Sequence, residues 1–297
     1  MKYVVPAVLG TGRPIAYCVI GTYAGPATRL HEWMWARIMA NAELVVPVGD
    51  EVLDECIRRF GVSPQRAIVI PNGRDASRFR PRSDLARSTQ STLAYVGALT
   101  AQKQPDRFIE VVGQLRAEGQ AIRAVMIGDG PRASNLVSLA HAHGVELLGA
   151  RSDVPELLRD ADLLVFTSQP TGEGMPGVLI EAGLSGIPVV STPVPGAATV
   201  VCDGRTGLIV EDAVPAIAAA VGELLDAPER RSAMGIAARI RCESEFSLDL
   251  MAQRWRTALQ PMVDRQMRTA RPGVRTSSGR ANIFRRATRS FRRSSQT

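Results

Sequence analysis

Residues that commonly bind metals or form disulfides are scarce in this sequence. It has four cysteines and three histidines in 297 residues. Cys18, Cys56, Cys202 and Cys242 lie far apart and form no C-x-x-C pair. This spacing argues against a zinc site and a disulfide framework, and it is typical of free thiols in a reducing cytosol.

No apolar run in the sequence has the character of a transmembrane helix. The longest uncharged stretch, 182–202, contains Pro188, Pro193 and Pro195, which favours strands and loops. The first residues hold one lysine and a short apolar run broken by Pro6 and Gly10, too weak a pattern for a signal peptide. We therefore expect a cytoplasmic protein.

Acidic residues are absent from the end of the chain. Residues 265–297 contain ten arginines and no Asp or Glu, which leaves 26 basic against 29 acidic residues, a net charge of −3, for the rest. A general nucleic-acid-binding fold is not expected from this distribution. Within 283–293, apolar residues recur at helical spacing among arginines, a pattern suited to an anionic membrane surface. Nucleic acid as an acidic partner and a solvated, disordered tail are the open alternatives.

Short apolar runs alternate with amphipathic stretches from residue 92 onward. This alternation predicts an α/β fold with a parallel sheet covered on both faces, and ligands bind beyond the carboxyl ends of such strands. The predicted strands are 92–97, 123–128, 145–149, 162–167, 188–192 and 207–210. The predicted organisation is a partial α/β domain 1–72, a linker 73–91, a parallel-sheet domain 92–246, a C-terminal helix 247–264 and a basic, disordered tail 265–297.

The segment 172–182 carries the strongest chemical pattern. Glu173 and Glu181 lie eight positions apart across a loop of glycine and proline that opens a helix. Free N–H groups and the helix dipole at such a loop favour anions, and the two carboxylates can accept hydrogen bonds from sugar hydroxyls. The pattern fits a ligand with a phosphate between two hydroxylated rings. From the spacing alone, a solvated loop glutamate and a surface helix glutamate remain an equal alternative.

Glu173 and Glu181 form a Glu-x7-Glu signature, and six other segments resemble motifs of the same family in the same order. These segments are 68–81, 95–103, 127–131, 148–162, 186–192 and 203–210. Over roughly residues 10–260, the chain resembles the retaining glycosyltransferases of family 4 (glycosyl transferases group 1). Those proteins have a GT-B fold, in which two Rossmann-like domains face each other across a cleft.

The resemblance implies a GT-B-like fold in which 92–246 is a Rossmann-like, nucleotide-sugar-binding domain and 1–72 an incomplete Rossmann-like domain on the acceptor side. It implies transfer of a sugar, with retention, from a nucleotide-diphosphate donor to a glycan or lipid-linked acceptor. Neither a metal nor another cofactor is expected. A lipid-linked acceptor would place the protein peripherally at the inner face of the membrane.

Residue roles follow from the resemblance position by position. Glu181 would bind the ribose hydroxyls, Glu173 the hydroxyls of the transferred sugar, and Lys103 the departing diphosphate, whose developing charge must be stabilised. Lys103 is also the only lysine after residue 2 in a chain that otherwise uses arginine, which separately indicates a role for an ammonium. The remaining donor contacts would come from three loops: Gly97, Gly174, Met175, Pro176 and Arg151.

The sequence departs from the family at three places. Ala98 stands where many members have an arginine, Ile20 stands where they commonly have a histidine near the reacting sugar, and the region before the linker is short. These departures favour an alternative function, a catalytically impaired nucleotide-sugar-binding subunit whose cleft is completed by a partner chain or in a homo-oligomer. The short region also fits a start-site truncation. A sugar-nucleotide epimerase of similar architecture is a third alternative, against which the Glu-x7-Glu loop argues.

Overall fold

The computed structural model describes residues 11, 13–22, 28–82 and 90–269, which form an α/β fold. The strands are β1 Ala16–Val19, β2 Leu44–Pro47, β3 Ser91–Val96, β4 Ile122–Ile127, β5 Val145–Gly149, β6 Leu163–Phe166, β7 Val189–Ser191 and β8 Gly207–Ile209. The helices are α1 Arg29–Ala40, α2 Asp50–Phe60, α3 Pro105–Ala117, α4 Ala133–His143, α5 Val154–Asp160, α6 Gly177–Leu184, α7 Ala197–Val200, α8 Val214–Asp226, α9 Pro228–Glu245 and α10 Leu248–Thr269.

The larger sheet has six strands in the order β5-β4-β3-β6-β7-β8, and all neighbouring strands are parallel. Every residue of the central strand β6 is apolar and buried, because helices cover both faces of the sheet. From β3 the chain proceeds to one edge through β4 and β5, and then returns to fill the other edge from β6 to β8. The predicted parallel sheet is confirmed, and its direction of growth reverses between β3 and β6.

The smaller sheet contains β1 and β2, which pair in parallel and pack with α1 and α2. Segment 67–70 continues beside β2, since the Ile68 amide donates to the Val45 carbonyl at 3.1 Å and the Ile70 amide donates to the Pro47 carbonyl at 3.0 Å. This small α/β piece agrees with the partial sheet predicted near the start of the chain.

The two sheets share a hydrophobic core. Buried Val48 and Val52 of the smaller piece belong to the same apolar cluster as Phe166 and Met175. Phe166 is the last residue of β6, and Met175 lies in the loop that follows β6. The described residues up to Ala258 form one compact unit and those from Leu259 form another. The predicted domain boundaries at residues 72, 91 and 246 stay predictions.

The last helix is longer than the sequence suggests. The predicted helix ends at residue 264, but α10 passes through Pro261 and continues to Thr269. The residues around Pro261 are mostly Arg, Gln, Met and Ala, strong helix formers that favour helix on both sides of the proline. The first residues of the predicted tail are therefore helical, and 283–293 lies outside the described residues.

Among the described helices, none combines the length and the apolar character needed to cross a membrane. All four cysteines are free, as predicted. In the part of the chain that the structure describes, no three His, Cys, Asp or Glu side chains are grouped to hold a metal ion.

Candidate active site

The segments with the strongest chemical patterns follow two adjacent strands of the larger sheet. Lys103 lies in the loop between β3 and α3, and Glu173 lies in the loop between β6 and α6. β3 and β6 are the strands at which the sheet's growth reverses, and in sheets of this type the ligand crevice lies between the loops that follow those two strands.

Lys103 and Glu173 form an ion pair at this crevice, in which Lys103 Nζ donates to Glu173 Oε1. The Lys103 side chain is 24% exposed and that of Glu173 is 9% exposed. The ammonium also lies 5.2 Å from the centre of the Phe166 ring, whose face attracts a cation. The structure thus brings together the two residues predicted to be catalytic.

Tyr95 supports the loop that carries Lys103. Its ring packs against Phe108 with centroids 5.7 Å apart, and its hydroxyl donates to the Ala98 carbonyl at 3.3 Å. Burial, and to a lesser extent the charge of Glu173, raises the pKa of Tyr95 well above its ordinary value. The phenol therefore remains a hydrogen-bond donor to this loop at neutral pH.

The residue after Lys103 adopts an unusual backbone conformation. Gln104 has φ of 43°, and it is the one non-glycine residue with positive φ in the described ranges. The Thr167 hydroxyl lies 3.1 Å from the Lys103 carbonyl and 2.9 Å from the Gln104 carbonyl, which ties this turn to the end of β6. Gln104 Oε1 is buried without a hydrogen-bond partner among the described residues. Local strain is thus located beside a predicted catalytic residue.

Substitution of Gln104 by glycine should stabilise the protein by about 1 kcal/mol. Relief of the left-handed conformation should stabilise the folded state by about 1–2 kcal/mol. The greater freedom of glycine in the unfolded chain should cancel about 0.5–1 kcal/mol of this gain. Chemical denaturation checks this, with Gln102→Gly as the control, because Gln102 has the same side chain but no positive φ. Equal destabilisation by both substitutions would contradict the strain at Gln104.

The glycine-rich loop after β6 is held by residues from the start of the chain. Gly21 and Gly174 form an antiparallel bridge, and the Thr22 amide donates to the Glu173 carbonyl at 3.1 Å. A Cβ at Gly174 would lie 2.2 Å from the Ile20 carbonyl oxygen, so only glycine permits this approach. The loop backbone predicted to face the donor is therefore in contact with the segment after β1.

Asn72 fixes the next residue of the loop. Its side-chain amide donates to the Met175 carbonyl at 2.9 Å, and Met175 is buried. Pro176 precedes the first residue of α6 and is also buried. Sequence reasoning did not assign Asn72 to the site, although Asn72 stands in the connector motif 68–81. For Thr22 the sequence offered no signal.

Glu181 lies in α6, where its side chain is 17% exposed. Its Oε1 accepts a hydrogen bond from Arg74 Nε at 2.6 Å. Arg74 was not predicted as a site residue, and it too stands in the connector motif. The carboxylate predicted to bind ribose is thus ion-paired with a residue from the segment between the two sheets.

Gly97 and Arg151 were also predicted to contact the donor. Gly97 follows β3 and its amide donates to the Ile127 carbonyl at 3.0 Å, so it lies at the same edge of the sheet as Lys103. Arg151 donates two hydrogen bonds to Asp153, at 2.7 and 2.5 Å, and these hold the pKa of Asp153 below its usual range. No hydrogen bond or ion pair of the described residues joins Arg151 to Lys103 or to either glutamate.

The family of the chain is shown by its sequence relatives. Residues 77–241, more than half of the chain, match the family model described as Glycosyl transferases group 1. D-inositol 3-phosphate glycosyltransferase of Nocardia farcinica is 32% identical over 224 residues, 68% of this chain and 49% of that protein. A GDP-mannose-dependent monoacylated alpha-(1-6)-phosphatidylinositol monomannoside mannosyltransferase of Corynebacterium glutamicum is 29% identical over 264 residues, 79% of this chain and 69% of that protein. The chain spans about half the length of the D-inositol 3-phosphate glycosyltransferases that it matches.

Solved structures agree on the fold. Anabaena HepE in complex with UDP and glucose superposes with a TM-score of 0.76 at 20% identity, covering 86% of this chain and 74% of that one. Sucrose-phosphate synthase of Thermosynechococcus elongatus gives a TM-score of 0.69 at 21% identity, covering 86% of this chain and 68% of that one. The predicted GT-B-like fold is thereby confirmed. With a family match that spans the six-stranded sheet and the Glu-x7-Glu loop, the chain belongs to the glycosyl transferases group 1 family.

Proposed function

We propose that this chain binds a nucleotide-diphosphate sugar at the crevice between β3 and β6, and that the protein transfers the sugar with retention to a glycan or lipid-linked hydroxyl. The observation that carries the proposal is the Lys103–Glu173 pair, a cation and a carboxylate held together at the carboxyl edge of the sheet. Family membership and the fold shared with HepE support the same site.

Lys103 would act on the leaving group. When the bond between the sugar and the diphosphate breaks, the electron pair moves to the diphosphate, and an ammonium at that position stabilises the new charge. The Lys103 ammonium donates to the Glu173 carboxylate in the structure. An entering diphosphate would compete for Lys103, and this would free the Glu173 carboxylate to accept hydrogen bonds from the sugar.

Glu181 would accept hydrogen bonds from the ribose hydroxyls. It lies about one turn into α6, the helix that follows the loop carrying Glu173. The backbone of Gly97, Gly174, Met175 and Pro176 would complete the pocket around the sugar and phosphates. Arg151 would exchange its ion pair with Asp153 for the base or a phosphate of the donor.

The relatives' names suggest which donors and acceptors to test. One solved neighbour is in complex with UDP and one relative is named GDP-mannose-dependent, so uridine and guanosine nucleotides come first. Several relatives are named for inositol 3-phosphate or a phosphatidylinositol mannoside, which supports a polyol or lipid-linked acceptor. A lipid-linked acceptor would bring the protein to the cytoplasmic face of a membrane, where 283–293 could contact anionic headgroups.

A catalytically impaired subunit is the second candidate function. Ile20 stands at the place of the expected histidine and is 74% exposed, and Ala98 is exposed where a second cation was expected. Such a subunit would bind the donor but release no sugar without a partner chain or second copy. Donor turnover, measured with and without candidate partners, separates it from an active transferase, and conversion of the donor to its epimer would indicate an epimerase.

Nucleotide binding tests the proposal directly. A ligand at roughly 100 times its dissociation constant adds about 2.7 kcal/mol of stability, a few degrees in the unfolding temperature. We expect such a shift with UDP, GDP, ADP or CDP or one of their sugar conjugates, and we expect Glu181→Gln to weaken binding about tenfold or more, because it removes charged hydrogen bonds to ribose.

Glu146→Gln is the matched control for this substitution. Glu146 is also paired with an arginine, Arg123, but at the opposite end of the sheet, so its loss should leave nucleotide affinity unchanged. No shift with any nucleotide would refute donor binding by this chain. A shift that survives Glu181→Gln would refute the role of Glu181.

A further inference from the structure

Arg74 makes a specific contact with the proposed ribose-binding carboxylate. Its Nε donates to Glu181 Oε1 at 2.6 Å and its Nη1 donates to the Gly73 carbonyl at 3.1 Å, so two sides of the guanidinium are fixed. The Arg74 side chain is 35% exposed, so it is partly buried against its partners. A planar guanidinium held at two points can orient a carboxylate in a way that a lysine cannot.

The first residue of α6 leaves room for this guanidinium. A Cβ at Gly177 would lie 1.7 Å from Arg74 Nη2 and 2.5 Å from Arg74 Cζ. Gly177 therefore permits Arg74 to lie across the start of the helix and reach Glu181 one turn further along. Any larger residue at 177 would push the guanidinium away.

The backbone of Arg74 is fixed by the segment between α9 and α10. The Arg74 amide donates to the Phe246 carbonyl at 2.9 Å, and the Leu248 amide donates to the Arg74 carbonyl at 2.9 Å. Arg74 is thus anchored on both its backbone and its side chain, although it lies outside the regular helices and strands. This is more support than a solvated surface arginine receives.

We infer that Arg74 is a positioning residue for nucleotide recognition, which holds the Glu181 carboxylate in the orientation that accepts the ribose hydroxyls. The inference rests on the proposed function. Arg74 occupies Oε1, and an ionised carboxylate has about four acceptor positions on its two oxygens, so a ribose diol can bind without displacing the arginine. The connector between the two sheets thereby takes part in donor binding.

The test compares a nucleoside diphosphate with its 2′,3′-dideoxy analogue, which lacks the hydroxyls that Glu181 would bind. The probe is whichever of UDP, GDP, ADP or CDP binds the unmodified chain, and affinities are measured by calorimetry. Arg74→Gln should lower the affinity for the ribose form about tenfold, because a misoriented Glu181 carboxylate loses about one hydrogen bond to the ribose. The affinity for the dideoxy form should not change. Arg123→Gln, which removes the paired arginine at the far end of the sheet, should change neither.

Gly177→Ala provides a second route to the same result. Its methyl group displaces the guanidinium while Arg74 and Glu181 both remain, and alanine is itself a better helix former than glycine. We expect the same ribose-specific loss as for Arg74→Gln, and no additional loss when the two substitutions are combined.

The outcomes separate the two proposals. Equal weakening of the ribose and dideoxy forms by Arg74→Gln would show a phosphate contact or a general structural role, and it would overturn the positioning role alone. If Arg74→Gln and Gly177→Ala both bind the ribose form with unchanged affinity, the positioning role of Arg74 is also overturned. If the unmodified chain binds none of the four diphosphates, donor binding fails and the role of Arg74 fails with it.

Discussion

Substitution of Gly196 by alanine is expected to lower the free energy of unfolding by about 3 kcal/mol and to weaken the candidate site. Gly196 has φ of 73°, a left-handed conformation that costs other residues about 1–2 kcal/mol. A Cβ there would also lie 2.0 Å from the Gly174 carbonyl oxygen and 2.9 Å from Met175 Cα. Forcing an atom into packed backbone typically costs a further 1–3 kcal/mol.

The glycine-rich loop after β6, which Gly196 contacts, is packed on both sides. On its other side, Gly174 is already in close contact with Ile20 and Gly21. Pressure from a methyl group at 196 would therefore move the loop that carries Glu173 or separate it from the segment after β1. We expect nucleotide affinity to fall together with stability, because the backbone around Glu173 belongs to the proposed donor pocket.

Gly204 supplies a matched control for this prediction. Its φ is 71°, nearly that of Gly196, but nothing lies within 4 Å of a Cβ built there. Gly204→Ala should lower stability by about 1–2 kcal/mol and leave nucleotide affinity unchanged. Denaturant unfolding of both variants, followed by calorimetry with the bound diphosphate, checks the difference. Equal losses of stability in the two variants would show that the alanine methyl group at 196 adds no strain through its contact with Gly174.

The sheet could be predicted from sequence because its pattern is local. Each strand is a short apolar run, and the helices between the strands have amphipathic periodicity, so burial on both faces follows from the composition of each segment. The family resemblance placed Lys103 and Glu173 at one donor site, and their meeting has a simple physical reason, since both lie after strands and a parallel sheet gathers its carboxyl ends at one edge.

Contacts that depend on tertiary packing could not be predicted in the same way. Arg74 and Glu181 are 107 positions apart, and nothing in their local sequences indicates that they pair. The contact of Gly21 with Gly174 likewise depends on two backbone segments that lie close together because Gly174 has no side chain. Arg151 forms a contact of the other kind, a local one with the Asp153 carboxylate two positions away, and its assignment to the donor stays a prediction.

Substitution of Lys103 by methionine is expected to lower donor turnover by roughly a hundredfold or more, with a smaller loss of affinity for the nucleoside diphosphate. A preorganised charge at the leaving group is most valuable in the transition state, where removal of one such donor typically costs about 10²–10³ in rate. Release of the nucleoside diphosphate from the nucleotide sugar measures turnover. Equal losses in turnover and affinity would instead indicate simple phosphate binding.

The Lys103–Glu173 pair makes the electrostatic and structural effects separable. Without Lys103, the mostly buried Glu173 carboxylate loses its cation, which should lower stability by about 1–3 kcal/mol, less than for a fully buried pair because Lys103 is partly exposed. Adding Glu173→Gln removes the unpaired charge, so the double variant should recover most of the stability but none of the turnover. Lys103→Arg, which retains the charge, should lose less turnover than Lys103→Met. Recovery of turnover in the double variant would show that Lys103 serves only to neutralise Glu173, and it would overturn the role of Lys103 at the leaving group.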